Sequence, residues 1–128
     1  MISRSIFLLL LLCSSSLASL TLKVFNFRGY GLRDDPVGPA DAYIRLRFST
    51  IHTGLTRVQP NTANPVWKDR FEYGSAKLGQ QVILQVFDQA SGYDPQLGYC
   101  SVYVKSGSHS VSCKLSTGGR LDYMYSLM

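Results

Sequence analysis

Residues 42–48 read Ala-Tyr-Ile-Arg-Leu-Arg-Phe, and apolar residues occupy every even-numbered position of this stretch. The odd-numbered positions carry Tyr43, Arg45 and Arg47. Successive side chains of a β-strand point to opposite faces, so a period of two is typical of a strand that is buried on one face only. The stretch therefore predicts a strand with an apolar inner face and a basic outer face.

A second stretch, Val-Ile-Leu-Gln-Val-Phe at residues 82–87, is apolar on both faces, which is typical of a central strand. Further segments of strand-like composition are 22–27, 55–58, 66–73, 99–104, 111–115 and 121–125. Glycine and proline clusters separate these segments, and only residues 75–78 are compatible with a short helical turn. Many short strands at this spacing predict one all-β domain, either an antiparallel sandwich or a barrel.

The N-terminal segment has the composition of a secretory signal. Arg4 is its positive flank, residues 6–12 are its apolar core, and Ala18 is a small residue at a cleavage position. Its apolar run is too short to cross a bilayer as a helix, which takes ~20 residues. We therefore predict a signal peptide at residues 1–18, one domain at residues 19–128 and secretion. The alternative is a retained N-terminal anchor.

The cysteines support an extracellular setting. Cys13 leaves with the predicted signal, so Cys100 and Cys113 remain as an even pair. In an oxidising compartment this pair predicts a disulfide, and the alternative is two buried free thiols. The net charge of +5 is modest and does not by itself indicate a nucleic-acid partner.

Catalytic groups are scarce in this sequence. His52 and His109 are its only histidines, and each lies in a context typical of a solvated side chain. Neither a glycine-rich phosphate loop nor a zinc-protease or CxxC motif is present. We therefore predict that the protein is not an enzyme.

Two pairs of aspartates bracket loops at strand ends. Asp35 and Asp41 flank the loop before the 42–48 strand, and Asp88 and Asp94 flank the loop after the 82–87 strand. Carboxylate and carbonyl oxygens are the ligands of Ca²⁺, so two such loops at one end of a sandwich predict a calcium site. The alternative is that the four aspartates are unrelated turn and cap residues, because aspartate is common at such positions.

Four motifs follow one another along most of the chain: Asp35-x5-Asp41-Ala42-Tyr43, Asn64-Pro65-Val66-Trp67, Val86-Phe87-Asp88 and Leu97-Gly98. In this order they resemble the C2 domain family, and the likeness is greatest to the C2 domains at the C-terminus of perforins. The resemblance implies an eight-stranded antiparallel β-sandwich whose tip loops bind Ca²⁺ and then an anionic phospholipid membrane, peripherally. It also implies a host-defence setting. We expect a monomer, with a separate pore-forming or defence protein as a partner.

Carried over by position, the resemblance gives a ligand set for Ca²⁺. Its side-chain ligands are Asp35, Asp41, Asp88 and Asp94, and backbone carbonyls of Asp34 and Gln89 are its further ligands. Ala90 stands where the family usually has another aspartate, and the third loop is about one residue short. Fewer anionic ligands weaken Ca²⁺ binding, so the number of ions stays open.

The same resemblance implies aromatic membrane contacts at the loop tips, of which this chain keeps Tyr93, whereas Arg33 stands where another aromatic is expected. We predict that Val37 and Leu97 insert as well and that Arg33 contributes by its charge. Aromatic rings suit the membrane interface, although Tyr93 as a core aromatic is the alternative.

Two basic pairs complete the candidate surfaces. Arg45 and Arg47 share one strand face, and Lys68 and Arg70 share another. If the two strands were neighbours, the pairs would form one basic patch; otherwise they are solvated strand faces. Such a patch gives the alternative function, a Ca²⁺-independent module that recognises an anionic glycan, lipid or protein.

Overall fold

A computed structural model describes residues 19–34, 38–50 and 52–128. The predicted signal peptide, Asp35 and Val37 lie outside these residues. The strands are, in chain order, β1 (Leu20–Tyr30), β2 (Arg33–Asp34), β3 (Gly38–Pro39), β4 (Ala42–Phe48), β5 (His52–Leu55), β6 (Val66–Trp67), β7 (Phe71–Ala76), β8 (Gln81–Asp88), β9 (Gln96–Tyr103), β10 (Gly107–Lys114) and β11 (Arg120–Leu127).

Two antiparallel sheets make up the domain. In one, the order is β10-β11-β1-β6, and β7 also pairs with β1; in the other, the order is β5-β4-β8-β9. The short strands β2 and β3 form a separate two-stranded hairpin. The described residues contain no helix, so the predicted all-β antiparallel sandwich is confirmed.

The inward faces of the two sheets form one hydrophobic core. The four apolar residues of β4 are all buried, as are Val82, Leu84 and Val86 of β8. Trp67 is the largest fully buried side chain, and its indole Nε1–H donates a hydrogen bond to the Ala42 carbonyl at 3.2 Å. This bond satisfies the polar atom of a buried tryptophan and ties β6 to the start of β4.

An irregularity in β1 lets one edge of this strand pair with two partners, while its other edge pairs with β11. Asn26 has a positive φ of 56°, and the β1–β11 register shifts between Phe25 and Arg28. The shift changes which positions face inward, so Val24 before it and Phe27 after it are both buried. Before the bulge β1 pairs with β7, and after it β1 pairs with β6. The segment predicted as one strand at 66–73 is therefore divided into two.

A disulfide joins the sheets at one edge. Cys100 on β9 bonds to Cys113 on β10, which confirms the predicted pairing. Strands β9 and β10 are edge strands of different sheets, so the bond closes one side of the sandwich. Within the part of the chain that the structure describes, no helix is long and apolar enough to span a bilayer.

Candidate functional site

The first and third loops meet at one end of the sandwich. Strands β4 and β8 are antiparallel neighbours in which Ala42 pairs with Asp88, so the start of one lies beside the end of the other. The backbone N–H of Asp41 donates to Asp88 Oδ1 at 2.8 Å. In return, the N–H of Gln89 donates to the Asp41 carbonyl at 2.8 Å. Aspartates 47 positions apart in sequence are thus in direct contact.

The loop between β5 and β6, here called the second loop, joins the same end. The N–H of Asn61 donates to Asp41 Oδ1 at 2.7 Å, and the N–H of Thr62 donates to the Ala40 carbonyl at 3.0 Å. Asn61 has a positive φ of 53°, a conformation that asparagine tolerates better than most residues. Asp41 therefore contacts both other loops, and sequence reasoning did not include Asn61 in the site.

Asp88 is completely buried at the end of β8. Burying a carboxylate costs free energy unless hydrogen-bond donors or a cation compensate the charge. The Asp41 N–H supplies one such donor. A buried carboxylate that faces a loop-lined end of a sandwich has the oxygen chemistry that Ca²⁺ requires.

Asp94 is held by a different set of contacts. Its Oδ2 accepts a hydrogen bond from the Tyr43 hydroxyl at 2.5 Å, and its Oδ1 accepts one from the Ala90 N–H at 2.9 Å. The Tyr43 hydroxyl, and after it the Ala90 N–H, hold the pKa of Asp94 below its ordinary value, because both donors favour the charged carboxylate. Burial, and next the bond to Asp94, raises the pKa of Tyr43.

The described residues therefore unite two of the predicted ligands. Asp41 and Asp88 are in contact, whereas both Asp94 oxygens are engaged by Tyr43 and Ala90. Among residues 19–34, 38–50 and 52–128, no group of three or more acidic, histidine or cysteine side chains is arranged to hold a metal ion. Asp35, the remaining predicted carboxylate ligand, lies outside those residues. The contact to Tyr43 also escaped sequence reasoning, since it crosses from the third loop to β4.

The predicted membrane contacts separate into exposed and buried residues. Tyr93 is 81% exposed in the third loop, so it is not the core aromatic that was the alternative. Arg33 is exposed on the β2–β3 hairpin. Leu97 is only 4% exposed and belongs to the core, and its carbonyl accepts a hydrogen bond from Thr117 Oγ1 at 2.7 Å. The prediction that Leu97 enters a membrane is wrong, because its side chain already fills the sandwich.

The two basic pairs do not form one patch. Arg45 and Arg47 lie on β4, whose neighbours are β5 and β8. Lys68 and Arg70 lie between β6 and β7, which pair with β1 in the other sheet. The condition for a combined patch is not met, because the strands that carry the pairs are not neighbours, and the alternative of two separate strand faces holds.

Comparison with known proteins shows which protein family this chain resembles. The family model of the C2 domain matches residues 18–119. Human perforin-1 is 38% identical over 107 residues, which cover 81% of this chain and 19% of perforin-1. Mouse perforin-1 is 34% identical over 109 residues, with the same two coverages. The chain thus spans about a fifth of the length of these relatives.

Solved structures agree with this relationship. A structure described as a C2 domain has a TM-score of 0.79 at 35% identity, and the match covers 84% of this chain and 97% of that chain. A C2 domain of plant extended synaptotagmin 1 has a TM-score of 0.71 at 22% identity, with coverages of 87% and 94%, which shows likeness of fold alone.

The molecule is an antiparallel β-sandwich in which the first, second and third loops meet at one end, with Asp41 and Asp88 in contact. The chain belongs to the C2 domain family. C2 domains are in general non-catalytic binding modules.

Proposed function

We propose that this protein is a secreted, non-catalytic C2 domain that binds Ca²⁺ through its tip loops and then attaches to anionic phospholipid membranes. The observation that carries the proposal is the contact between Asp41 and Asp88, which unites the first and third loops at one end of the sandwich. The disulfide supports the extracellular part of the proposal, since such bonds persist in oxidising compartments.

The proposed ligands are the side chains of Asp35, Asp41, Asp88 and Asp94 and the backbone carbonyls of Asp34 and Gln89. Bound Ca²⁺ would make the acidic loop end positive and offer a coordination position to lipid phosphate. Ala90 removes one anionic ligand, so we propose a single ion and an affinity of ~10⁻⁴–10⁻³ M, as in extracellular calcium modules.

The protein supplies the remaining membrane contacts. The ring of Tyr93 projects into solvent at the loop tip, where an aromatic side chain can enter the headgroup region. Arg33 on the neighbouring hairpin adds roughly 1 kcal/mol of attraction to an anionic surface. Val37 is a proposed third contact. With one exposed aromatic ring, insertion is shallow and depends on the charge of the loop end.

Co-sedimentation with liposomes tests this proposal. The protein should pellet with phosphatidylserine liposomes in Ca²⁺ and stay in the supernatant with chelator. The double variant Asp41→Asn, Asp88→Asn should lose the calcium-stimulated fraction, whereas Glu72→Gln, which removes an exposed carboxylate on β7 opposite Lys23, should keep it. Circular dichroism checks that the double variant is folded. Pelleting that ignores chelator would reject the proposal.

The resemblance to perforin extends the proposal to a host-defence setting, with a separate pore-forming or defence protein as a partner. Secretion has a direct test of its own. The N-terminus of protein collected from culture medium should begin at Ser19, one residue after the predicted cleavage. Protein that stays in the membrane fraction with Met1 intact would favour the retained anchor.

A further inference from the structure

Tyr43 is fixed in place beside the third loop. It occupies an outward-facing position of β4, since the alternate residues of that strand are buried. Its ring stacks on that of Phe87, the residue paired with it on β8, with centroids 5.4 Å apart and planes 21° apart. The Arg45 guanidinium lies 5.0 Å from the centre of the same Phe87 ring. These contacts hold the Tyr43 hydroxyl in one position, from which it donates to Asp94 Oδ2 at 2.5 Å.

The backbone beside Asp94 lies close to Asp88. The Asp88 N–H donates to the carbonyl of Pro95 at 3.0 Å, which closes the third loop at its base. The Asp88 side chain continues the buried positions of β8, whereas Tyr43 is on the outer face of the same sheet. The carboxylate of Asp94 is therefore held at the outer face, although its backbone adjoins the proposed calcium site.

Charge gives Asp94 two favourable positions. Carboxylates gathered at one point repel one another unless a cation lies between them. Asp41 and Asp88 are already in contact, so a third carboxylate is stable beside them only together with a cation. The Tyr43 hydroxyl and the Ala90 N–H compensate the charge of Asp94 at a different place. Of the two positions, Tyr43 stabilises the one that lies outside the site.

We infer that Tyr43 lowers the calcium affinity of the proposed site by holding Asp94 outside it. The inference rests on the proposed function, in which Asp94 is a side-chain ligand. To serve as a ligand, Asp94 must give up the Tyr43 hydroxyl, and the loss of this bond subtracts from the free energy of ion binding. Tyr43 is thus an affinity-determining residue that acts through Asp94 and is not itself a ligand.

The same contacts fix the part of the third loop that carries Tyr93. Tyr93 directly precedes Asp94 and is 81% exposed. The bond from the Ala90 N–H to Asp94 Oδ1, at 2.9 Å, spans the residues between Ala90 and Asp94 and so holds this part of the loop closed. Transfer of Asp94 to the site releases both of its bonds and moves the adjoining tyrosine. Calcium binding is thereby linked to the position of the ring that the proposed function places at the membrane.

Calorimetric Ca²⁺ titration of the wild type, Tyr43→Phe and the matched control Tyr103→Phe tests the inference. Phenylalanine keeps the stacking on Phe87 and removes only the hydroxyl. Tyr43→Phe should therefore bind Ca²⁺ about tenfold more tightly, as expected for relief of one hydrogen bond to a charged group. Tyr103→Phe removes an exposed hydroxyl at the far end of β9 and should bind as the wild type does. As a second readout, the NMR signals of ring-labelled Tyr43 and Tyr93 should shift as Ca²⁺ saturates the wild type, whereas that of Tyr103 should not.

Several results would overturn the inference and leave the proposed function standing. In one, Tyr43→Phe binds Ca²⁺ with wild-type affinity. In another it binds more weakly, which would make Tyr43 a donor that positions Asp94 as a ligand. An unchanged Tyr43 signal at saturation would mean that the hydroxyl keeps its partner, and an unchanged Tyr93 signal would reject the link to the membrane contact. By contrast, binding heat in neither the wild type nor Tyr43→Phe rejects the proposed function and the inference together.

Discussion

Loss of the bond between Cys100 and Cys113 is expected to lower the free energy of unfolding by about 3 kcal/mol. The two residues are 13 positions apart, and closing a loop of that size in the unfolded chain removes entropy worth about 3 kcal/mol. Cys100 is only 3% exposed, so alanine suits that position, whereas serine suits the less buried Cys113. The variant Cys100→Ala, Cys113→Ser isolates the effect of the bond with little change in packing.

Thermal and urea unfolding measure the effect. For a domain of this size, 1 kcal/mol corresponds to about 4 °C, so the midpoint should fall by roughly 10–15 °C. Wild-type protein in strong reductant should approach the variant, and the variant itself should not respond to reductant. Because the bond joins edge strands and not the loop end, calcium-dependent binding should persist below the new midpoint. A change under about 1 kcal/mol would refute the view that this link constrains the unfolded chain.

Three further predictions follow from burial and backbone conformation. Tyr93→Ser should weaken calcium-dependent membrane binding by about tenfold without changing the unfolding midpoint, because the Tyr93 ring is in solvent. Leu97→Ala should lower the free energy of unfolding by ~2–5 kcal/mol, because the Leu97 side chain is in the core. Equal midpoints of the two variants in urea would contradict this pair of predictions. Burial raises the pKa of Tyr123 to about 12, so this tyrosine ionises in the unfolded chain before it ionises in the folded protein as the pH rises above 10. Between pH 10 and 12 the wild type should therefore lose roughly 2–3 kcal/mol of unfolding free energy relative to Tyr123→Phe. Parallel stability curves for the two proteins would contradict this prediction. Gly119→Ala should destabilise by about 1–3 kcal/mol, since φ is +78° and a Cβ would lie 2.4 Å from the Tyr30 carbonyl oxygen, and calorimetry showing wild-type stability would count against that geometry.

Local sequence patterns predicted a strand well where each of its faces has the same surroundings along the whole strand. The alternation at residues 42–48 gave β4 its observed bounds, because each side chain there is either in the core or on the outer face. The segment 66–73 was predicted as one strand but is two, since its division depends on a bulge at Asn26 in a partner strand. Strand pairing between distant parts of the chain likewise places Lys68 and Arg70 with a different sheet from Arg45 and Arg47, and local sequence does not encode this pairing.

The site was predicted in part for a similar reason. The spacing of Asp41 and Asp88 at strand ends placed them together once β4 and β8 were neighbours. The Tyr43 hydroxyl on Asp94 and the Asn61 N–H on Asp41 are contacts between loops, and no periodic signal encodes them. Leu97 was misjudged because a leucine near a loop has the same local sequence whether it faces lipid or the core.

Calorimetric titration of the purified protein with Ca²⁺ tests the central claim most directly. We predict saturable binding of one ion with an affinity of ~10⁻⁴–10⁻³ M, abolished by Asp41→Asn and unchanged by Glu72→Gln. Absence of binding heat in the folded wild-type protein, or equal binding by wild type and Asp41→Asn, would contradict the account.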